Sequence, residues 1–383
     1  MPELPEVETI KRGLEPLIIK KKIVKTEIDP HTPKAFQGDE GNVTDATVLA
    51  IRRRGKALLI DLSNNYTLLI HLRMTGQLIW RDNSFSLGIA ALQPAIAPSQ
   101  DRKSSSVRYS AAPSTSSEIT SYREAYDENL KHQFAAGHPS KNFIAELPNS
   151  QTRVSFEFAD GTLYFNDQRK FGFVKVIPTP EVEQEKFIAE LAKEPWEMDV
   201  KELFSQFQRH KNSPVKAVLL DQKVIAGLGN IYADESLFYA SVHPATRAGD
   251  VSEQQAEQIL EGARSVMLAS IDSGGSTMAT YIKPDGSTGN YLELFAEVFR
   301  REGKPCKRCG ELIQKTRVAG RGTHFCPHCQ PAPEEFLAKT ATGKTAKTAA
   351  ENSAKIGKTA QKTQNSAGHK PTQKVPLRGA EKA

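Results

Sequence analysis

Four cysteines near the C-terminal end have the spacing of a metal site. They form two Cys-x-x-Cys pairs separated by sixteen residues, which is typical of two turns that hold one tetrahedral zinc through four thiolates. Because a shell closed by four sulfurs leaves no position for a substrate, the zinc is predicted to be structural. His324 and His328 lie nearby and are interpreted as bystanders. The predicted ligands are Cys306, Cys309, Cys326 and Cys329.

The N-terminus offers a second kind of chemistry. Removal of Met1, which is usual before a small residue, would expose Pro2 as a secondary amine. An α-amino group has a pKa of about 7.7–8.0, so part of it is nucleophilic near neutral pH. Its condensation with C1′ of a deoxyribose gives an iminium that favours β-elimination. Glu3 and Glu6 could supply a general acid and a base or water-positioning group, although Met-Pro-Glu is also an ordinary start of a chain.

A glycine-containing turn and a group of basic side chains could bind phosphate. The turn Gly227-Leu228-Gly229-Asn230 precedes a predicted helix, with Asn230 as its N-cap, and would leave backbone N–H groups free at the helix N-terminus. Ordinary turns between helices have the same pattern. Lys211 and Lys216 precede this turn and could add charge from the neighbouring helix. Basic residues around the cysteines favour a phosphate contact over a merely solvated surface: Lys304, Lys307, Arg308, Lys315, Arg317 and Arg321.

The net charge of +6 is concentrated at the C-terminal end. Residues 331–383 contain ten Lys or Arg and four Asp or Glu, whereas residues 1–330 contain 41 of each sign. This tail has too little apolar content to fold, so it is predicted to be disordered and to add nonspecific, salt-sensitive affinity for a polyanion. The sequence has no apolar run long enough for a membrane span and no secretory signal pattern.

The elements that must position these residues change in type along the chain. A helix is predicted after Pro5, followed by short β-type segments that place an antiparallel sheet domain at residues 1–178. Within it, residues 83–150 are interpreted as a disordered insertion with a short helix at 121–134. The predicted strands are 22–28, 47–52, 56–62, 66–72, 153–158, 162–166 and 173–177.

Helical patterns replace the strands after Pro178. They predict a helical domain at residues 181–290, a zinc finger at 296–330 and the basic tail at 331–383. The predicted helices are 181–192, 200–207, 215–220, 232–238 and 252–272.

Several sequence motifs follow one another along the chain. They are MPELPEVETIKRG at the start, His71-Leu72-Arg73-Met74-Thr75-Gly76, Asn166-Asp167-Gln168-Arg169-Lys170-Phe171-Gly172, Gly227-Leu228-Gly229-Asn230-Ile231-Tyr232-Ala233, Gly274-Gly275-Ser276-Thr277, Asp285-Gly286-Ser287-Thr288-Gly289 and the four-cysteine segment. Taken in this order, they resemble the formamidopyrimidine-DNA glycosylase family, bacterial repair enzymes for oxidised purines. The resemblance covers residues 1–82 and about 151–330.

The resemblance implies both a fold and an activity. The expected fold is α+β and multidomain: an N-terminal β-sandwich with flanking helices, a helix-two-turn-helix domain and a C-terminal zinc-finger β-hairpin. The expected enzyme is a bifunctional glycosylase and AP lyase that excises 8-oxoguanine and formamidopyrimidines and nicks the abasic site by β,δ-elimination. It would use one structural Zn²⁺, act as a monomer on double-stranded DNA containing oxidised bases or abasic sites, have no membrane partner, and be cytoplasmic and nucleoid-associated in a bacterium.

The resemblance also implies catalytic roles by position. Pro2 is expected to be the Schiff-base nucleophile, and Glu3 the acid that opens the sugar and releases the base. Lys56 is expected in the catalytic pocket, where it assists β-elimination and contacts phosphate. Arg321 is expected to assist δ-elimination and to bind phosphate.

A second set of roles concerns DNA binding. Met74, Arg169 and Phe171 resemble the three residues that enter the duplex when the damaged nucleotide leaves it; Met fills a void, Arg can bond the orphaned cytosine and Phe wedges a base step. A loop at residues 277–291 is expected to close over the extruded purine. Further DNA-binding residues are expected at Glu6, Lys211 and Asn230.

Two alternatives stay open, and four features depart from the family pattern: the insertion at residues 83–150, the basic tail and two local positions. The alternatives are an endonuclease-VIII-like glycosylase for oxidised pyrimidines and a non-catalytic lesion-binding protein. The Pro-Glu-Leu-Pro start weighs against the first, and the intact Pro2, Glu3 and Lys56 weigh against the second. Arg153 follows Gln-Thr where the family usually has a basic His-x-His segment, and Arg300 stands where a glycine is expected.

Overall fold

The computed structural model describes most of the chain outside the predicted insertion and tail. It covers residues 2–84, 132–137, 145–275, 278–282, 288–289, 295–334 and 336. The predicted disorder of the tail, most of the predicted helix at 121–134 and much of the expected loop at 277–291 lie outside these residues. Within them, no helix combines the length and apolar character that a membrane crossing requires.

Helix α1 (Leu4–Ile18) begins the chain. Val7, Ile10 and Leu14 recur at helical spacing and are almost fully buried, so one face of the helix packs into the core of the N-terminal domain. Glu3 is the N-cap residue, and Glu6 completes a capping box with it. The capping geometry fixes the direction in which the N-terminus leaves the helix.

Among the described residues, ten strands follow α1 in the N-terminal domain. They are β1 (Ile23–Ile28), β2 (Phe36–Gln37), β3 (Val48–Arg54), β4 (Ala57–Leu62), β5 (Tyr66–His71), β6 (Gly76–Asp82), β7 (Gln133–Gly137), β8 (Thr152–Phe158), β9 (Gly161–Asp167) and β10 (Phe173–Pro178). One sheet has the order β1-β8-β9-β6-β7, and the other has the order β2-β10-β5-β4-β3. Residues of both sheets and of α1 share one hydrophobic core, which is the predicted β-sandwich.

Strand β7 corrects the interpretation of residues 83–150 as disordered throughout. It pairs antiparallel with β6, and Ala135 and Ala136 are buried. Phe134, expected at the end of a helix, lies in this strand against Gly13, where a Cβ atom would come within 2.2 Å of the phenyl ring. The sequence does not predict this strand, because five residues that include two alanines show little alternation of apolar and polar side chains. The strand is stabilised by its backbone hydrogen bonds to β6.

The helical domain contains five helices among the described residues. They are α2 (Lys186–Ala189), α3 (Val200–Arg209), α4 (Val215–Leu219), α5 (Asn230–Tyr239) and α6 (Glu253–Asp272). The expected helix at 181–192 is wrong: a 3₁₀ turn (Thr179–Gln184) and the single turn of α2 replace it, because Glu185 has extended ψ (124°) between them. Leu4 of α1 belongs to the core of this domain, so the chain's first helix contacts both.

Two short hairpins complete the described fold. Strands β11 (Met278–Ile282) and β12 (Thr288–Gly289) pair within the expected loop. In the zinc-finger segment, β13 (Gln314–Val318) and β14 (Arg321–Phe325) pair antiparallel. Ala319 and Gly320 both have positive φ, 48° and 75°, which is the geometry of a tight two-residue hairpin turn. Arg321 is therefore the first residue after the turn.

Candidate active site

The N-terminus packs against the first turn of α5. Pro2 and Glu3 are buried. The Glu3 carboxylate accepts the N–H of Ile231 at 3.0 Å and approaches that of Tyr232 at 3.5 Å. A Cβ on Gly229 would lie 2.2 Å from the Glu3 carboxyl carbon, so only glycine permits this approach. The free N–H groups expected to bind phosphate therefore bind a carboxylate of the protein itself.

Burial brings the pKa of the Glu3 carboxyl close to neutral pH. It raises the pKa of Glu3 from 4.5 to about 7, while the nearby Lys56 ammonium partly opposes the shift. A substantial fraction of Glu3 is thus protonated at neutral pH, as a general acid requires.

Lys56 shares this buried space. It follows the turn between β3 and β4, is 6% exposed, and its ammonium donates to the carbonyl of Leu228 at 2.6 Å. Burial lowers the pKa of Lys56 to about 8; the Glu3 carboxylate opposes the shift, and the Arg321 guanidinium adds to it. Glu3 and Lys56 thus lie within electrostatic reach of each other, and Arg321 is close enough to influence Lys56.

The turn that carries Lys56 is fixed by a residue that sequence reasoning missed. Glu194 accepts both guanidinium N–H groups of Arg53 at 2.6 and 2.9 Å, and the N–H of Gly55 at 2.7 Å. Paired bonds of this kind combine charge with a fixed orientation. No local pattern marks Glu194, because its partners lie about 140 positions away.

Glu6 holds the N-terminus in place through buried hydrogen bonds. It is 5% exposed, its Oε2 accepts the N–H of Glu3 at 2.7 Å, and its Oε1 accepts the hydroxyl of Tyr232 at 2.6 Å. The Tyr232 hydroxyl is also 2.6 Å from Ser270 Oγ. The expected contact of Glu6 with DNA stays a prediction.

Asn230 connects α5 to the zinc-finger hairpin. It is the first residue of α5, and Gly229 is the N-cap, which corrects the expected capping role of Asn230. The Asn230 side-chain amide donates to the carbonyl of Gly322 at 3.0 Å, beside Arg321, which is exposed. Lys211 is also exposed, beyond the end of α3. The structure thus leaves both cations accessible while Asn230 orients the hairpin.

Two acidic residues on α5 attach the zinc finger and were not found from the sequence. Asp234 pairs with Lys216 at 2.6 Å, where both side chains have no exposed surface, and accepts the N–H of His324 at 2.9 Å. Glu235 accepts three consecutive backbone N–H groups, of residues 297, 298 and 299, at 2.8–3.0 Å. Because both charges of the Asp234–Lys216 pair are buried, removing either one would leave an uncompensated charge in the interior. This pair and the three bonds to Glu235 therefore hold the zinc-finger segment rigidly against α5.

The four predicted zinc ligands lie together. Their sulfurs are all within 4.8 Å of one another, with Cys309 and Cys326 at 3.4 Å and Cys306 and Cys329 at 4.0 Å. Sulfurs bound tetrahedrally to zinc at about 2.3 Å are about 3.8 Å apart, so the cluster fits one Zn²⁺. The ion would fix the loops on which β13 and β14 depend.

Loss of this metal should disable DNA binding and leave the N-terminal domain folded. We expect Cys326→Ser to remove the stoichiometric zinc, because three sulfurs cannot close the shell, and to weaken duplex binding more than tenfold, given that zinc supplies about 10–16 kcal/mol to comparable fingers. Metal analysis and a DNA titration would check this. The control is His328→Ala, whose exposed side chain lies beside the cluster; a Cys326→Ser protein that keeps both zinc and affinity would contradict the assignment.

The three expected duplex-entering residues lie on two adjacent turns. Phe171 is 56% exposed, Met74 is half-buried, and the Arg169 guanidinium carbon is 5.0 Å from the centre of the Phe171 ring. The N–H of Arg169 donates to Thr75 Oγ1 at 3.0 Å, which joins the turns. The three side chains thus lie close together, and the Phe171 ring is accessible.

The two local departures from the family pattern have structural explanations. The Arg153 guanidinium is buried, pairs with Asp29 at 2.8 Å and donates to the carbonyl of Asp167 at 2.9 Å, so it supports the sheet. Arg300 has φ 58°, a left-handed conformation that glycine adopts freely and that costs other residues about 1–2 kcal/mol.

Comparison with protein families gives three matches in chain order. Residues 1–174 match the formamidopyrimidine-DNA glycosylase N-terminal domain, residues 191–281 match the helix-two-turn-helix domain of the same enzymes, and residues 303–332 match a zinc finger found in these glycosylases and in isoleucyl-tRNA synthetases.

Individual relatives agree with the family matches. The formamidopyrimidine-DNA glycosylase of Pelotomaculum thermopropionicum is 33% identical over 337 residues, which cover 86% of this chain and 99% of the relative. The enzyme of Bacillus cereus is 32% identical over 343 residues, covering 86% and 99%. Among solved structures, two complexes of the Lactococcus lactis protein, one with DNA containing Fapy-dG and one with DNA containing an abasic site, are similar with a TM-score of 0.64, 29% identity and coverage of 86% of this chain and 100% of the other.

Proposed function

The chain belongs to the formamidopyrimidine-DNA glycosylase family, and on that premise we propose which of its residues carry the reaction. It is a DNA glycosylase for oxidised purines, and its family also has AP lyase activity. The observation that carries the assignment is the buried junction of Pro2 and Glu3 with the first turn of α5, beside Lys56.

The first step joins the protein to the sugar. The Pro2 nitrogen, freed by removal of Met1, attacks C1′ of the extruded nucleotide; the damaged base leaves with the electron pair of the glycosidic bond and takes up the proton that the Pro2 nitrogen loses. Glu3 donates its proton to the ring oxygen as the sugar opens, which yields an iminium between Pro2 and C1′. A carboxyl group with a pKa near 7 can make that donation at neutral pH.

Strand scission follows from the iminium. The positive nitrogen acidifies the C2′ proton, the Glu3 carboxylate can accept it, and the 3′ phosphate leaves by β-elimination. A second elimination releases the 5′ phosphate. The Lys56 ammonium and the Arg321 guanidinium bind the phosphates on which charge remains, and Lys211 and Asn230 extend this contact along the backbone.

We also propose the setting in which these parts work. The division at residues 1–178, 181–290 and 296–330 is supported by the three matched family ranges. The protein acts as a monomer on lesion-containing or abasic duplex DNA in the cytoplasm of a bacterium, at the nucleoid, and the bacterial origin of the named relatives supports this. The zinc is structural and takes no part in the reaction.

A panel of duplexes tests the proposed substrate. Single-turnover excision is expected to be at least about tenfold faster for 8-oxoguanine opposite cytosine than for thymine glycol opposite adenine. A pocket whose polar groups bond an oxidised purine leaves some of those groups unpaired when it holds a pyrimidine. A preference for thymine glycol would favour the endonuclease-VIII-like alternative. Binding of the 8-oxoguanine duplex without release of the base would favour a lesion-binding protein that does not catalyse.

A further inference from the structure

A single buried carboxylate joins the two turns that carry the expected duplex-entering residues. Asp167 ends β9 and is 1% exposed. Its Oδ1 accepts the hydroxyl of Thr75, which follows Met74, and the N–H of Arg169 at 3.2 Å. Its Oδ2 accepts the N–H of Phe171 at 2.8 Å and of Gly172 at 2.7 Å.

The position of Asp167 is itself fixed. Its backbone N–H donates to the carbonyl of Gln151 at 2.8 Å, and its carbonyl accepts from the Arg153 guanidinium at 2.9 Å. A Cβ on Gly172 would lie 2.7 Å from the Phe165 ring and 3.2 Å from Asp167 Oδ2. Close packing therefore prevents the second turn from shifting away from the carboxylate.

The hydrogen bonds to Asp167 reach both oxygens of its carboxylate and come from both turns. Both turns contain a non-glycine residue in the left-handed region, Arg73 at φ 50° and Lys170 at φ 59°, and such conformations persist only where surrounding contacts impose them. Bonds to a charged acceptor are roughly twice as strong as neutral ones. Asp167 therefore stabilises both strained turns in one relative placement.

We propose that Asp167 is the positioning residue that makes Met74, Arg169 and Phe171 enter the duplex as one unit. The proposal rests on the proposed function, since it concerns how the damaged nucleotide is replaced in the helix. Asp167 touches neither the sugar nor the base in this account; it acts through the three side chains. Its loss should slow extrusion of a base from a duplex and spare chemistry on a nucleotide that is already unpaired.

Two substrates separate these effects. We expect Asp167→Asn to slow single-turnover excision from an 8-oxoguanine:cytosine duplex by up to about 100-fold, because one carboxylate oxygen that accepts hydrogen bonds is replaced by an NH₂ group that cannot accept them. Nicking of a single-stranded abasic oligonucleotide should change by less than about twofold. Thr75→Val, which removes only the link to the Met74 turn, should show a smaller loss of the same kind. Stopped-flow fluorescence of 2-aminopurine beside the lesion should show slower insertion in both variants.

The control is Asp45→Asn, which alters an aspartate whose side chain is 75% exposed in the same domain. An unchanged duplex rate in Asp167→Asn, or equal losses on the duplex and on the single strand, would overturn the positioning role. Failure of the unmodified protein on both substrates would instead count against the proposed function.

Discussion

A protein whose N-terminus is blocked is expected to bind lesion-containing duplex DNA and leave it intact. The nucleophile in the proposed reaction is the free secondary amine of Pro2, and an amide-linked nitrogen has no electron pair available for attack on C1′. We expect a tag retained ahead of Pro2 to reduce both base excision and abasic-site nicking by about 10³-fold or more, as removal of a covalent nucleophile does in other enzymes. Single-turnover kinetics on a labelled duplex would measure both.

The matched control is the same polypeptide after proteolytic removal of the tag, so that Pro2 becomes the first residue. Its activity should return in full, while affinity for an uncleavable abasic analogue stays within a few fold before and after cleavage, because the phosphate contacts lie elsewhere. Nicking at the normal rate by the tagged protein would remove Pro2 from the mechanism.

Glu3→Gln is expected to separate the two activities. Glutamine keeps the shape of the side chain and a carbonyl that can accept the Ile231 N–H, but it has no proton to give to the sugar ring. Loss of a general acid typically costs about 10²–10⁴-fold, so excision of 8-oxoguanine should fall by that factor. Nicking of a preformed abasic site should fall less, because its sugar already opens to an aldehyde without Glu3 and only the acceptor of the C2′ proton is lost. The Glu3→Gln protein should also fold well, because burial disfavours the charged carboxylate at this position and the glutamine side chain is neutral.

The pH dependence of base excision tests the acid role of Glu3 independently. Because the pKa of Glu3 is raised to about 7, its protonated form is abundant below pH 7 and declines above it. Wild-type excision should therefore fall on the alkaline side from about pH 7, and Glu3→Gln should lack that decline. Glu15→Gln, on the same helix with its side chain 37% exposed, is the control; a Glu3→Gln variant with wild-type excision rates would rule out the acid role.

Features with local signatures could be predicted from the sequence. The zinc ligands follow from cysteine spacing, and the sulfurs lie together. The hairpin that presents Arg321 needs only a turn residue that tolerates positive φ, which Gly320 supplies. Helices α3, α4 and α6 begin and end within two residues of their predicted bounds, because capping residues and apolar periodicity are both local.

Contacts between distant parts of the chain could not be predicted in the same way. Glu194 reaches the Lys56 turn, and Glu235 reaches the zinc finger, across roughly 140 and 60 positions, and no single-sequence pattern encodes such pairs. For the same reason no local pattern predicts the bond between Glu6 and the hydroxyl of Tyr232, which lies in the helical domain. The glycine turn before α5 has the pattern of a phosphate site, and the sequence does not show that the Glu3 carboxylate occupies its N–H groups.

The central claim, covalent catalysis by Pro2, is tested most directly by borohydride trapping. The mature protein is incubated with an 8-oxoguanine:cytosine duplex and sodium borohydride, and the trapped complex is digested and mapped by mass spectrometry. We expect one DNA adduct per chain on the N-terminal peptide, at Pro2, and none in Pro2→Gly at a comparable rate. An adduct on Lys56 or another lysine, or base release with no adduct at all, would contradict the account.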